Sequence, residues 1–379
     1  MERGKQQVII TGTPNPSFDR TAQLRHQLEV GGVNRITHLS TQPGGKGVNV
    51  STAVAHAGIR TLALFPDSTD RAYTHMVEAL GVACDPSSAP ATPRINTALI
   101  GGGVTTKVNE SGPVYRPTDV RDFEQKLLDA LSAAMADTRE GMNIDDKGVD
   151  DMDVDHSPAS DPVDPAHSSR PAHGSEPVHR RHGDVSVMVG GSLGPGFPVD
   201  EYVRLCEIAH ARGVWIGVDT ADEPLAELSA NLERARPDFM KPNAEELGQI
   251  VGVDGRILEE SATRGDLGGV VRAARALRGR GVPEVMVTLG GAGALLSTAD
   301  GTWYAPPVEV QVLSTVGAGD SSVAGYLIAR AAGAGAAERL RFAAAYGTAA
   351  VGLPGTTIPK PEDVHPEAVR VRRLPDDDL

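Results

Sequence analysis

Short runs of apolar, β-branched residues recur along the chain and alternate with stretches of helical periodicity. Residues 8–11, 61–65, 185–189, 214–218 and 285–289 read as strands buried on both faces, because their apolar positions are continuous rather than alternating. Residues 48–57 read as a helix stopped by Gly58, and 202–211 and 270–278 as further helices. Strand, helix, strand in this order predicts βαβ units and a mostly parallel sheet. Two regions, about 22–41 and 94–116, break the rhythm: they carry strand patterns and turns but no helix. Gly101-Gly102-Gly103 lies between apolar runs at 95–100 and 104–108, which is the signature of a hairpin. Together these regions predict a small antiparallel sheet outside the main fold, a lid.

The segment 138–184 differs in kind. It is rich in Asp, His, Pro, Ser and Gly and contains no Leu, Phe, Tyr or Trp, so it cannot bury enough apolar surface to offset chain entropy. It reads as a disordered insertion in a single domain spanning 1–379. Its five histidines, His156, His167, His173, His179 and His182, follow no ligand spacing, which favours a solvated loop over a metal site.

Composition narrows the function. The net charge of −14 comes without a basic stripe, so nucleic acid is not an expected partner. Two cysteines, Cys84 and Cys206, build neither a disulfide framework nor a metal motif and fit a reducing cytoplasm. The N-terminal residues lack the apolar segment of a secretory signal, and no stretch reaches the ~18 apolar residues that a membrane span needs. A soluble cytoplasmic protein is expected.

Four polar or glycine-rich clusters carry candidate chemistry. The sharpest is Thr315-Val316-Gly317-Ala318-Gly319-Asp320, which opens an apolar helical run. Small residues let backbone amides approach a ligand, the helix start favours an anion, and Asp320 can take a proton from a hydroxyl held there. The alternative for Asp320 is a simple helix cap. Gly44-Gly45-Lys46-Gly47-Val48-Asn49 also leads into a helix. It lacks Walker A spacing, but a lysine among glycines at a helix start suits an oxyanion. In Lys241-Pro242-Asn243-Ala244-Glu245-Glu246, Asn243 and Glu246 fit either a capping box or the waters of a magnesium ion. Thr288-Leu289-Gly290-Gly291-Ala292-Gly293 is a strand running into glycines, which suits close contact with a nucleotide.

Taken in order, these clusters resemble the ribokinase-like, or phosphofructokinase-B, carbohydrate kinases. Val316–Asp320 is similar to that family's C-terminal signature and Gly44–Val50 to its N-terminal one. The resemblance implies an α/β fold, a three-layer αβα core with a mostly parallel sheet plus a small antiparallel lid. It implies ATP and Mg²⁺ as cofactors and a homodimer formed through the lid. Within the family, Thr13–Asp19, Gly32–Arg35, Arg94–Asn96, Thr106–Pro113 and Gly191–Gly196 are most similar to the ketohexose-phosphate branch, the 1-phosphofructokinases and tagatose-6-phosphate kinases. The implied reaction is ATP-dependent phosphorylation of a ketohexose phosphate. D-fructose 1-phosphate is the first candidate; tagatose 6-phosphate and fructose 6-phosphate are alternatives, and a non-catalytic sugar-phosphate sensor is the alternative outside enzymes. The implied roles follow residue by residue. Asp320 is the general base, and Gly317, Ala318 and Gly319 supply amides to the moving phosphoryl group. Asp19, Gly44, Gly45 and Asn49 hold sugar hydroxyls, and Ser192 lines the sugar pocket. Lys46 and Arg94, with Lys107, bind the substrate's phosphate. Lys241, Asn243 and Glu246 face ATP phosphates and Mg²⁺, while Thr288, Gly290, Gly293 and Thr315 line the nucleotide site.

Overall fold

A computed structural model describes residues 7–145 and 184–375. In chain order the strands are β1 (Val8–Gly12), β2 (Ser17–Leu24), β3 (Ile36–Gly44), β4 (Arg60–Asp67), β5 (Cys84–Ser88), β6 (Arg94–Gly101), β7 (Val104–Asn109), β8 (Val185–Gly190), β9 (Trp215–Asp219), β10 (Phe239–Met240), β11 (Glu284–Thr288), β12 (Ala294–Thr298), β13 (Gly301–Ala305) and β14 (Arg372–Arg373). The helices are α1 (Lys46–His56), α2 (Ala72–Ala79), α3 (Pro117–Asp145), α4 (Glu201–His210), α5 (Asp222–Ala230), α6 (Leu232–Ala235), α7 (Ala244–Val251), α8 (Gly255–Thr263), α9 (Gly268–Gly279), α10 (Ala318–Ala331) and α11 (Ala336–Val351).

Ten strands form one sheet in the order β14-β13-β12-β11-β10-β9-β8-β1-β4-β5. From β5 to β11 neighbouring strands run parallel; β12, β13 and β14 close the far edge as antiparallel additions. Successive residues of a strand face opposite sides, and the burial shows it. Val8 and Ile10 of β1, with Val187 and Val189 of β8, pack into one cluster with α3, α4, α7 and α9. Ile9 and Met188 point the other way, into a cluster with α1, α10 and α11. Both faces of the sheet are therefore covered, which gives three layers and explains why the strand sequences are apolar without alternation.

The four remaining strands form a separate sheet in the order β3-β2-β6-β7. The β6–β7 turn falls where the glycine triplet predicts it, with Gly102 and Gly103 at positive φ. The expected antiparallel pairing describes both hairpins; where they meet, β2 and β6 run parallel. The reason is topological: β2 follows β1 and β6 follows β5, and both leave the same edge of a parallel sheet. The sheet also begins earlier than the pattern predicts, at Ser17, and β3 runs on to Gly44.

The boundary expected at residue 138 is corrected. Helix α3 continues through Asp145, because a helix already nucleated adds residues at little cost even where their composition is polar. The rest of the proposed insertion, 146–183 with its five histidines, lies outside the described residues.

Candidate active site

The candidate residues converge at the C-terminal edge of the parallel strands, where open α/β sheets place their ligand crevices. Asp219 ends β9, Lys241 follows β10, Thr288 ends β11, Ser192 follows β8, and Gly45 and Gly317 open α1 and α10.

Two glycines shape this geometry. Gly317 caps α10 at φ 80°, a conformation that side-chained residues rarely adopt, so the chain turns sharply and the first amides of α10 face the crevice. At Gly44, a Cβ would lie 2.1 Å from Asp19 Oδ2, so the α1 turn sits directly on that carboxylate.

Asn49 Nδ2 donates to Asp320 Oδ2 at 2.8 Å, joining the two glycine-rich turns. Burial pushes the Asp320 carboxyl above its ordinary range, and nearby Lys46 only partly offsets this. Lys46 Nζ is 2.9 Å from Asp219 Oδ1, and Lys241 Nζ is 3.5 Å from the same oxygen. Burial alone would raise the Asp219 carboxyl, but the two lysines outweigh it and hold it below its ordinary value. Burial would likewise lower Lys46, but Asp219 and Asp320 raise it, so the ammonium is held charged. Asp219 Oδ2 is buried and has no hydrogen-bond partner among the described residues.

Asn243 and Glu246 form a full capping box on α7. Glu246 N donates to Asn243 Oδ1 at 2.8 Å, and Asn243 N to Glu246 Oε2 at 2.8 Å. Burial raises the Glu246 carboxyl, with Lys241 and Lys46 near enough to oppose the shift. On the small sheet, Asp19 accepts from Ser17 Oγ at 2.7 Å and Asn96 Nδ2 at 3.2 Å; its carboxyl is raised by burial against those bonds. Arg94 Nη1 donates to the Glu110 carbonyl at 3.1 Å, and burial lowers the guanidinium's pKa.

Two cavities flank this array. One, of about 460 Å³, brings Lys46, Arg94 and Ser192 together with Asn15 and the 191–197 loop. The other, of about 550 Å³, lies between the small sheet and the approach to α10, and holds Asp19, Asn96, Lys107, Ser314 and Thr315. Lys107 thus shares a cavity with Thr315 rather than with Lys46 and Arg94. Thr288, Gly290 and Gly293 line neither cavity. Thr288 bridges to Asn243. A Cβ on Gly293 would lie 2.2 Å from the Ala305 carbonyl, so packing against β13 by itself requires glycine there.

Three residues to which the sequence patterns assign no role belong to the array: Asp219, and Asn15 and Asn96, which lie within the family-like segments Thr13–Asp19 and Arg94–Asn96. The only prior sign of Asp219 was an acid closing an otherwise apolar buried strand. Among the described residues no group of three or more His, Cys, Asp or Glu is placed to hold a metal by itself.

An α/β crevice with amides at a helix start, a buried carboxylate beside them and fixed lysines is the equipment of a phosphotransferase. The comparisons define it further. Residues 181–363 match the pfkB family carbohydrate kinase. A 1-phosphofructokinase of Haloferax volcanii is 30% identical over 373 residues, covering 96% of this chain and 99% of its own. A 1-phosphofructokinase of Escherichia coli is 28% identical, covering 90% of each chain. Among solved structures, phosphofructokinase-2 from Escherichia coli in complex with potassium superposes with a TM-score of 0.72 at 25% identity, over 94% of this chain and 96% of its own. The chain belongs to the pfkB family of carbohydrate kinases. It is an enzyme with ATP as its phosphoryl donor, and its fold is the ribokinase-like three-layer sandwich with a small separate sheet. No helix among the described residues is long and apolar enough to cross a membrane.

Proposed function

We propose that this kinase transfers the γ-phosphoryl group of ATP to D-fructose 1-phosphate, forming fructose 1,6-bisphosphate. The carrying observation is the grouping of Lys46, Arg94 and Ser192 in one cavity, with Lys46 on the same first turn of α1 as Asn49, which bonds Asp320. Two cations in a sugar-sized cavity suit a substrate that already bears a phosphate. The similarity to curated 1-phosphofructokinases over nearly the whole chain supports the same substrate.

In this reading Asp320 takes the proton from the attacking hydroxyl, and Asn49 fixes the carboxylate for that task. Gly317, Ala318 and Gly319 offer amides to the phosphoryl oxygens as charge develops. Asp19, Gly44, Gly45 and Asn49 hold the sugar, with Asn96 orienting Asp19. Lys46 and Arg94 bind the phosphate already on the sugar, and Ser192 lines its pocket. Lys107 reaches the substrate from the second cavity. Lys241 faces the ATP phosphates, and Thr288, Gly290, Gly293 and Thr315 border the nucleotide.

The residues fit magnesium as well. Asp219 Oδ2 is an orphaned acceptor, and the capping box engages only Oε2 of Glu246. Asn243, Glu246 and Asp219 would hold Mg²⁺, largely through water, where it would neutralise phosphate charge. The acids present are too few for an all-protein cage, as expected for a cation that keeps its waters and shares ligands with phosphates.

The chain then works as one cytoplasmic domain with a lid. A homodimer through the lid is supported by its apolar outer face. Leu39, Val104 and Val108 lie opposite Asp19, Thr21 and Lys107 in the strand register, and each is about half exposed. An ATP-turnover assay across a panel of ketose phosphates tests the central reading.

A further inference from the structure

One side chain hydrogen-bonds to both the end of the lid and the 191–197 loop. Asn15 lies in the turn between β1 and β2 and is only 3% exposed. Its Nδ2 donates to the Ser111 carbonyl at 3.1 Å and to Ser192 Oγ at 3.2 Å, reaching segments 96 and 177 positions away. The Ser111 carbonyl can only accept, so it fixes which end of the amide faces it. The other end, Oδ1, is buried with no hydrogen-bond partner among the described residues. It is wedged against Gly112 and Gly194, where added Cβ atoms would lie 2.5 Å and 3.4 Å away.

Both segments carry residues of the proposed sugar-phosphate pocket. Ser111 follows Glu110, whose carbonyl accepts from Arg94. Ser192 lines the same cavity as Arg94 and Lys46. A second tie lies four residues on, where Tyr115 N donates to the Pro195 carbonyl at 2.7 Å. That bond joins backbone to backbone and would form with many side chains. The Tyr115 ring also packs edge-on against Phe197, with ring centroids 4.9 Å apart. The Asn15 bonds are the side-chain hydrogen bonds of this contact among the described residues, and they sit at the cavity wall.

The geometry points to Asn15 as a positioning residue: it sets the spacing between Arg94 and Ser192 by holding the returning lid strand to the sugar loop. This rests on the sugar-phosphate reading above. It adds that the lid's seating over the sugar, not the chemistry at Asp320, depends on one amide.

The test uses Asn15→Ala and the isosteric Asn15→Asp, which sets an acceptor against the Ser111 carbonyl. With the ketose phosphate that the wild-type enzyme uses best, KM for the sugar should rise by roughly 5- to 10-fold, the scale of a lost hydrogen bond, while KM for ATP stays within about twofold. Sugar-independent ATP hydrolysis should rise relative to kcat, because a loosely seated lid admits water. Hydrogen exchange of the free variants should quicken at 109–113 and 191–196 together. Folded variants with unchanged sugar KM, or with equal rises in both KM values, would overturn the assignment. If neither variant folds, the wild-type enzyme decides: joint protection of both segments on sugar-phosphate binding supports it, and protection of one without the other overturns it. A wild-type enzyme inactive on every ketose phosphate would sink the substrate reading instead, while the exchange measurement on the free variants still judges Asn15.

Discussion

Asn49 in the first turn of α1 and Asp320 in the first turn of α10 are 271 positions apart and share a 2.8 Å hydrogen bond. The bond joins the two glycine-rich turns into one surface. It also leaves Asp320 Oδ1 outside the Asn49 contact, available to a hydroxyl.

Asp320→Asn should retain ATP binding but lower kcat by at least ~10²-fold, the usual scale of a positioned general base. The pH profile gives a second check. A base works only when deprotonated, and burial raises this carboxyl. The acid limb of kcat/KM should therefore lie above the ordinary carboxylate range, with activity falling as pH drops through it. Near-normal turnover in the Asn variant would remove Asp320 from the chemistry.

Lys46→Ala should raise KM for the sugar phosphate by roughly 10- to 100-fold, as expected for a lost charge-assisted hydrogen bond, and leave KM for ATP within about twofold. Lys241 still lies 3.5 Å from Asp219, so the buried carboxylate keeps one cation and the variant should fold. Equal increases in both KM values would place Lys46 on the nucleotide side.

Much of this arrangement could be read before the structure, and what could not has identifiable causes. The β-branched runs announced β1, β4, β8, β9 and β11, since a strand covered on both faces needs apolar residues at every position. The glycine-rich turns were legible because few other residues permit φ of 80° or an approach as close as that of Gly44 to Asp19. Asp219 was not, because one acid at a strand end has no motif. Its importance arises only when β10 and α1 bring Lys241 and Lys46 to it. Asn15 lies within the family-like segment Thr13–Asp19, but its partners at 111 and 192 meet only in the folded chain. The last turns of α3 escaped because propensity and composition describe residues singly, whereas a helix extends cooperatively.

Glu201 offers a test of the core away from the crevice. Its side chain is fully buried, and neither oxygen has a hydrogen-bond partner among the described residues. Burial first, then neighbouring Glu124, pushes its pKa from 4.5 up to about 8. A carboxyl raised on folding stabilises the fold fully below its unfolded pKa, and that contribution is lost as pH rises through the folded value. The window is therefore from about 4.5 to about 8. Glu201→Gln should match the wild-type melting temperature near the bottom of that window and exceed it by several degrees at the top. A difference that does not grow with pH would contradict this.

The lid's outer face predicts assembly. Replacing Leu39 and Val108 by Asp places two charges where a partner's apolar surface would lie. Sedimentation should show the wild-type chain as a dimer and the double variant shifted to monomer. A wild-type monomer at micromolar concentration would rule out a stable dimer through this face.

Steady-state ATP turnover with fructose 1-phosphate, tagatose 6-phosphate, fructose 6-phosphate and unphosphorylated fructose tests the central claim most directly. The account predicts the highest kcat/KM with fructose 1-phosphate, with fructose 1,6-bisphosphate formed in step with ADP. It predicts the lowest value with fructose, which brings no phosphate for Lys46 and Arg94 to bind. A preference for the unphosphorylated sugar, or no ADP formation above the sugar-free rate with any of the phosphates, would contradict it.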